Sequence, residues 1–173
     1  MGTPTTPEAT HDALFDLGGL TVSEDIRKNF SPQNTTILDV GAGWGKYRRL
    51  LPEYKMDAVE IWEPYIQEEK LEKQYGKVFC TDICDFNEVN YDVIILGDVL
   101  EHIERDRAVP LIKRLKKSCK QLYVVVPYNY PQNEVHGNKY EVHLQDDLTD
   151  ESVKQHYGLT LMARDEIKGV YKK

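Results

Sequence analysis

The chain has 173 residues, 29 acidic against 22 basic, and a formal charge of −7. With 40% apolar and 10% aromatic residues it can bury one domain's core, which excludes a mainly disordered chain. Its apolar runs, such as 93–96, fall far short of the ~20 residues that cross a membrane, and the negative charge argues against nucleic acid as the main partner.

Residues 1–10 carry two prolines, four threonines and one charged side chain, and read as a flexible tail over 1–12 with no secretory signal. A single domain over 13–173 follows. Three cysteines are an odd, sparse set, so a reducing, cytoplasmic setting is expected rather than a disulfide framework. Residues 14–30 precede the first strand and are expected to serve as a lid. The β-branched run 36–40 predicts a strand, and a helix follows to 51, stopped by Pro52. Residues 56–60 read as a second strand. Pro64 suits the first turn of a helix that runs to 75, where Gly76 ends it. Strands follow at 77–80 and 91–96, the latter apolar enough to be buried on both faces. The pattern over 105–118 predicts a helix with Val109, Ile112 and Leu115 inward and Pro110 near its start; its basic run 113–117 reads as a solvated face. Residues 122–126 make a fifth strand. Thr149 or Asp150 caps a helix to 157, and 159–163 with 169–171 form a closing hairpin. This alternation predicts βα units around a mostly parallel sheet.

Between the fifth strand and the last helix, 127–147 is a long loop holding Tyr128, Tyr130, Tyr140, His136 and His143. Long loops inside domains are usually functional, and this one leaves the carboxyl edge of the sheet, where open α/β sheets bind ligands. It is the expected substrate loop.

The glycine cluster after the first strand is informative because it links a strand to a helix. A triphosphate loop requires G-x-x-x-x-G-K-[ST]; here Tyr47 follows Gly45-Lys46, and Val40 stands where the first glycine belongs. A dinucleotide loop requires a small third residue in G-x-G-x-x-G, and that position is Lys46. A tight turn without ligand is the plain alternative. Gly41, Gly43 and Gly45 instead spell G-x-G-x-G.

That loop resembles motif I of the class I S-adenosylmethionine-dependent methyltransferases. Three further features fall in this family's order: Glu60 closing strand two, Asp82-Ile83 after strand three, and Asp98-Val99-Leu100-Glu101-His102-Ile103 after strand four. The resemblance covers about 36–126. It implies an α/β fold, a three-layer Rossmann-like sandwich with a mostly parallel seven-stranded sheet and an antiparallel C-terminal hairpin. It also implies S-adenosyl-L-methionine as cofactor. Gly41, Ala42, Gly43 and Gly45 would pass the methionine part, and Asp39 would meet its ammonium. Glu60 would take the ribose hydroxyls, Ile61 and Trp62 would pack on adenine, and Asp82 with Ile83 would read its edge. Gly97 and Asp98 would line the pocket beside the methyl.

A hydroxyl acceptor calls for a general base, and histidine is best placed in pKa. His11 and His156 lie in the tail and near a helix end, which leaves His143, His102 and His136, with Asp98, as catalytic candidates. His102 could instead pack near the methionine carboxylate. An N-x-Y-E-x-H pattern like 138–143 occurs in some small methyltransferases of sugar pathways. Asp98, Glu101, His102, Glu141 and His143 include metal-ligand types, but their spacing fixes no set, so no metal is expected; Cys80 and Cys84 read as packing. The expected activity is O-methylation of a small molecule or glycan, with N-methylation of an amine or a non-catalytic cofactor-binding protein as alternatives. No large substrate domain exists, so the pocket is open or is completed in a homodimer.

Overall fold

The computed structural model describes residues 11–173. Most of the expected tail lies outside these residues, and His11 already opens a first turn, α1 (His11–Leu14). The strands are β1 (Thr36–Val40), β2 (Lys55–Glu60), β3 (Val78–Cys80), β4 (Val93–Gly97), β5 (Gln121–Pro127), β6 (Thr160–Arg164) and β7 (Lys168–Lys172). They form one sheet in the order β3-β2-β1-β4-β5-β7-β6. The first five run parallel, and β7 returns antiparallel to β5 and pairs antiparallel with β6. This is the seven-stranded architecture expected from the sequence.

The chain steps outward from β1 to β2 and β3, then crosses back to β4 and β5. The reversal opens a crevice at the carboxyl ends of β1 and β4. Alternation along the strands feeds two cores. Leu38, Val40, Ile94 and Leu96 face the helices α6 (Arg105–Ser118) and α7 (Asp150–Tyr157), while Ile37, Val93 and Ile95 face α2 (Leu17–Asn29) and α3 (Lys46–Leu50). Val93 to Leu96 are wholly buried, each worth roughly 1.5–3 kcal/mol in removal from water.

Four expectations are corrected. The stretch 14–30 is a structural layer, not a lid. Val22 and Ile26 of α2 are fully buried, and a Cβ on Gly18 would lie 3.0 Å from Val125. Asp16 caps this helix by accepting from the Gly19 amide at 2.8 Å, and also binds Lys46 and Lys168 at 2.5 and 2.9 Å. Burial pushes its carboxyl up, but these partners prevail and hold it below the usual range. The helix expected over 64–75 is two pieces, α4 (Glu63–Glu68) and α5 (Leu71–Gln74). Lys70, at φ 51°, breaks them, and the turn lets Leu71 and Tyr75 reach the core. Val109 is exposed, because the inner stripe of α6 is Ala108, Leu111, Ile112 and Leu115; the helix starts at Arg105 and runs through Pro110. Cys80 is also exposed, so of the Cys80–Cys84 pair only Cys84 packs on the core.

The basic run on α6 is only partly a solvated face. Lys113 and Lys117 are exposed, but Arg114 donates to the carbonyls of Phe86, Ile83 and Cys84 at 2.7, 3.0 and 3.3 Å. It thereby fixes the loop after β3. Arg114→Ala is expected to lower the unfolding free energy by about 2 kcal/mol, read as a lower urea midpoint at unchanged slope. Among the described residues no helix is long and apolar enough to cross a membrane.

Candidate active site

The glycine loop spans the crevice. Gly41, Gly43 and Gly45 all take positive φ, at 68°, 51° and 81°. Two are held by close neighbours: a Cβ on Gly41 would lie 2.5 Å from Val99, and one on Gly45 2.7 Å from Gln74. Gly43 differs. Its Cβ would meet nothing nearer than the Gly41 carbonyl at 3.9 Å. Ala42 is buried beneath the loop, and its carbonyl accepts from the Gly45 amide at 2.8 Å.

Two buried carboxylates flank this opening. Asp39, on β1, accepts from the Tyr75 hydroxyl at 2.6 Å. Burial raises its carboxyl to about 7; Tyr75 opposes, the Glu60 charge adds, and Lys46 acts least. Glu60 closes β2 and accepts from the amides of Gly43 and Trp62 at 3.0 and 2.9 Å. Burial raises it too, against those amides. Buried carboxyls with so little positive charge nearby are costly, and a cationic ligand offsets that cost. The Tyr47 hydroxyl is buried at the same edge without a hydrogen-bond partner among the described residues. Its ring explains Gly97, where a Cβ would lie 2.4 Å away.

Beside the loop lies a cavity of about 330 Å³ walled by Val40, Gly41, Ile61, Thr81, Asp82, Ile83, Val99, His102, Arg107, Tyr140 and Leu144. Asp82 holds Arg107 at 3.0 Å and accepts from the Cys84 amide at 2.8 Å. Of the two residues expected to flank a base, Ile61 lines the cavity, while Trp62 packs edge-on against Tyr140 with ring centres 6.1 Å apart.

The long loop is anchored rather than free. The amides of Leu144 and Gln145 donate to the Glu101 carbonyl at 2.8 and 3.0 Å. The buried Gln145 amide group donates to Leu100 and Ile103 carbonyls at 3.0 and 2.8 Å. This staple brings His143 against His102, ring centres 4.7 Å apart and edge-on. His102 Nδ1 faces the Val142 carbonyl at 3.2 Å, and His143 Nδ1 faces the Tyr130 carbonyl at 2.6 Å. A carbonyl only accepts, so in each neutral ring Nδ1 carries the proton and Nε2 the lone pair. Burial, ahead of the opposing Glu141 charge, lowers the His102 pKa and keeps that ring neutral.

Of the other two candidates, Asp98 reaches this pair only through its charge, which acts on His102. Asp98, at φ 55°, pairs with Lys168 at 3.6 Å. His136 occupies a left-handed turn position, φ 50°, with no side-chain partner among the described residues.

The methyltransferase-domain family profile matches residues 38–124, half of the chain. The chain belongs to the class I S-adenosylmethionine-dependent methyltransferases. No curated protein matches it in sequence. Among solved structures it is similar to an S-adenosylmethionine-dependent methyltransferase from Clostridium acetobutylicum, at 14% identity over 88% of both chains and a TM-score of 0.66. It is also similar to the magnesium protoporphyrin IX methyltransferase of Synechocystis, at 13% identity over 88% of this chain and 75% of that one, TM-score 0.63. The N-methyltransferase NodS of Bradyrhizobium japonicum matches at 14% identity over 88% and 90%, TM-score 0.60.

The methyltransferase's own residues fit S-adenosylmethionine. They combine open space at Gly43 with two buried carboxyls, Asp39 and Glu60, suited to a ligand that carries an ammonium and paired hydroxyls. Sequence reasoning missed Tyr47, Tyr140 and Leu144. Only Tyr140 and Leu144 carried a signal, their position beside His143 in the long loop.

Proposed function

We propose that this methyltransferase methylates a hydroxyl oxygen of a small polar molecule, with a sugar as the best-fitting class. The observation that carries the reading is the His102–His143 pair. Both rings are held by a backbone carbonyl at Nδ1, which leaves Nε2 with its lone pair, and His102 lines the cavity. An amine needs no such help to lose a proton, whereas a hydroxyl does. The rim supports the same class. Tyr140 and Leu144, 37% and 52% exposed, line the cavity, and the exposed Tyr130 ring packs against His143 at 5.5 Å, giving aromatic faces and an apolar edge of the kind on which a sugar ring stacks. After β4 the chain reads Gly97-Asp98-Val99-Leu100, without the paired prolines typical of enzymes that methylate base amino groups.

When bound, the cofactor supplies a methyl made electrophilic by the sulfonium. Asp39 would hold its ammonium, Glu60 its ribose hydroxyls, and Asp82 with the Ile83 amide the adenine edge, while Ile61 would give an apolar wall. His143, backed by His102, assists loss of the hydroxyl's proton. Asp98 contributes by holding Lys168, and His136 has no part in this scheme.

Labelled methyl transfer to sugars, other alcohols, amines and nucleic acids tests the reading. Label is expected on an alcohol or sugar oxygen. With that acceptor, His143→Ala is expected to lower kcat about 100-fold while cofactor affinity holds. Label confined to amines or nucleic acid, or an unchanged kcat, contradicts it.

A further inference from the structure

We propose that Glu101, His102 and His143 form a binding site for one divalent transition-metal ion of the zinc type, beside the cavity that His102 lines. One ligand atom from each of the three lies within 4.8 Å of the other two. Glu101 is 1% exposed, and its Oε2 has no hydrogen-bond partner among the described residues. A buried carboxylate oxygen left unpaired costs a few kcal/mol and calls for a ligand. Its other oxygen stands 3.8 Å from His102 Nε2. Both histidines are oriented as metal ligands are: Nδ1–H donates to a backbone carbonyl, which fixes the ring and leaves the Nε2 lone pair free.

The donor set is two imidazoles and one carboxylate, which binds zinc in catalytic sites that keep a position open. Zinc bonds of about 2.1 Å place neighbouring ligand atoms about 3.4 Å apart. The Glu101–His102 separation is already close to that, and the remaining approach falls to His143 on the loop. Asp98 and Glu141 add negative charge around Glu101, and the nearby Lys168 is held by Asp16 and Asp98.

The site itself stands on this geometry; its catalytic consequence rests on the oxygen-acceptor reading above. A hydroxyl oxygen at the open position loses its proton to solvent more readily and keeps the electron pair. That pair then forms the carbon–oxygen bond as the carbon–sulfur bond breaks, giving an ether and a neutral thioether. His143 thus acts on the acceptor through the ion rather than as a free base.

The test uses the full chain, stripped with a chelator and dialysed. It is titrated with zinc chloride by calorimetry and with cobalt chloride by visible absorption. One ion per chain is expected, with the intense visible bands of four- or five-coordinate cobalt. His143→Ala and Glu101→Gln are each expected to weaken binding more than the roughly 10–100-fold that loss of an outer partner costs. His156→Ala, on α7, is expected to bind as the wild type does. Affinity for S-adenosylhomocysteine, unchanged in His143→Ala, shows that this variant is folded. Absence of saturable binding, or wild-type affinity in His143→Ala, overturns the site. Methyl transfer to oxygen at full rate by the stripped enzyme overturns the ion's role and leaves the acceptor reading standing. Tight, His143-dependent binding with label only on amines does the reverse.

Discussion

Gly43→Val is expected to lose measurable binding of S-adenosylmethionine, a fall of at least about 100-fold in calorimetry, with the fold retained by circular dichroism. Two effects combine. Gly43 has φ 51°, a conformation that a β-branched residue adopts only under strain of roughly 1–3 kcal/mol. Its side-chain direction leads into the open space beside the loop, so the valine methyls take the volume proposed for the methionine part. Gly41→Val and Gly45→Val instead drive a Cβ into Val99 or Gln74 and are expected to lower stability first. Retained affinity in Gly43→Val would place the cofactor elsewhere.

The second large effect is on the pH dependence of cofactor affinity. Asp39 in the free protein titrates near 7, because burial raises it. In the proposed pairing with the cofactor's ammonium the carboxylate is stabilised and its pKa falls, so binding releases a proton below pH 7. Affinity is therefore expected to fall as pH drops through 7, by up to about tenfold per unit. Above about 8 the cofactor's own ammonium loses its proton and affinity falls again. Asp39→Asn is expected to bind about 10–100-fold more weakly at pH 7 and to lack the acid limb. Calorimetry with S-adenosylhomocysteine from pH 5.5 to 8.5, a range chosen to bracket about 7, measures both. An acid limb that survives in Asp39→Asn would move the titrating group to Glu60.

The central sheet and glycine loop were legible in the sequence because their signals are local. A β-branched run followed by spaced glycines specifies strand, turn and helix within a few residues, and β1 begins and ends as expected. The misread elements depend on contacts distant in sequence. The break at Lys70 follows from burying Leu71 and from the reach of Tyr75 to Asp39, which no helical periodicity encodes. Val109 sits beside the true stripe of α6, where one turned residue separates inside from outside. The segment before β1 resembled a lid only because its partners, Val125 and Lys168, come far later in the chain. The grouping of Glu101, His102 and His143 depends on the staple between Gln145 and the Leu100–Ile103 turn. Motif spacing gave the residue types, and only the folded loop gave their company.

The loop's fastenings also divide it into parts. At its start the Tyr128 and Asn129 amides donate to the carbonyls of Ile167 and Leu148, and at its end Gln145 is clamped under Glu101. The exposed rings of Tyr130 and Tyr140 lie on the stretch strung between these two moorings. Under the proposed function this stretch would meet the acceptor, and any exchange of its exposed rings has to keep Gln132, whose carbonyl accepts from the His143 amide and whose side chain donates to the Glu141 carbonyl.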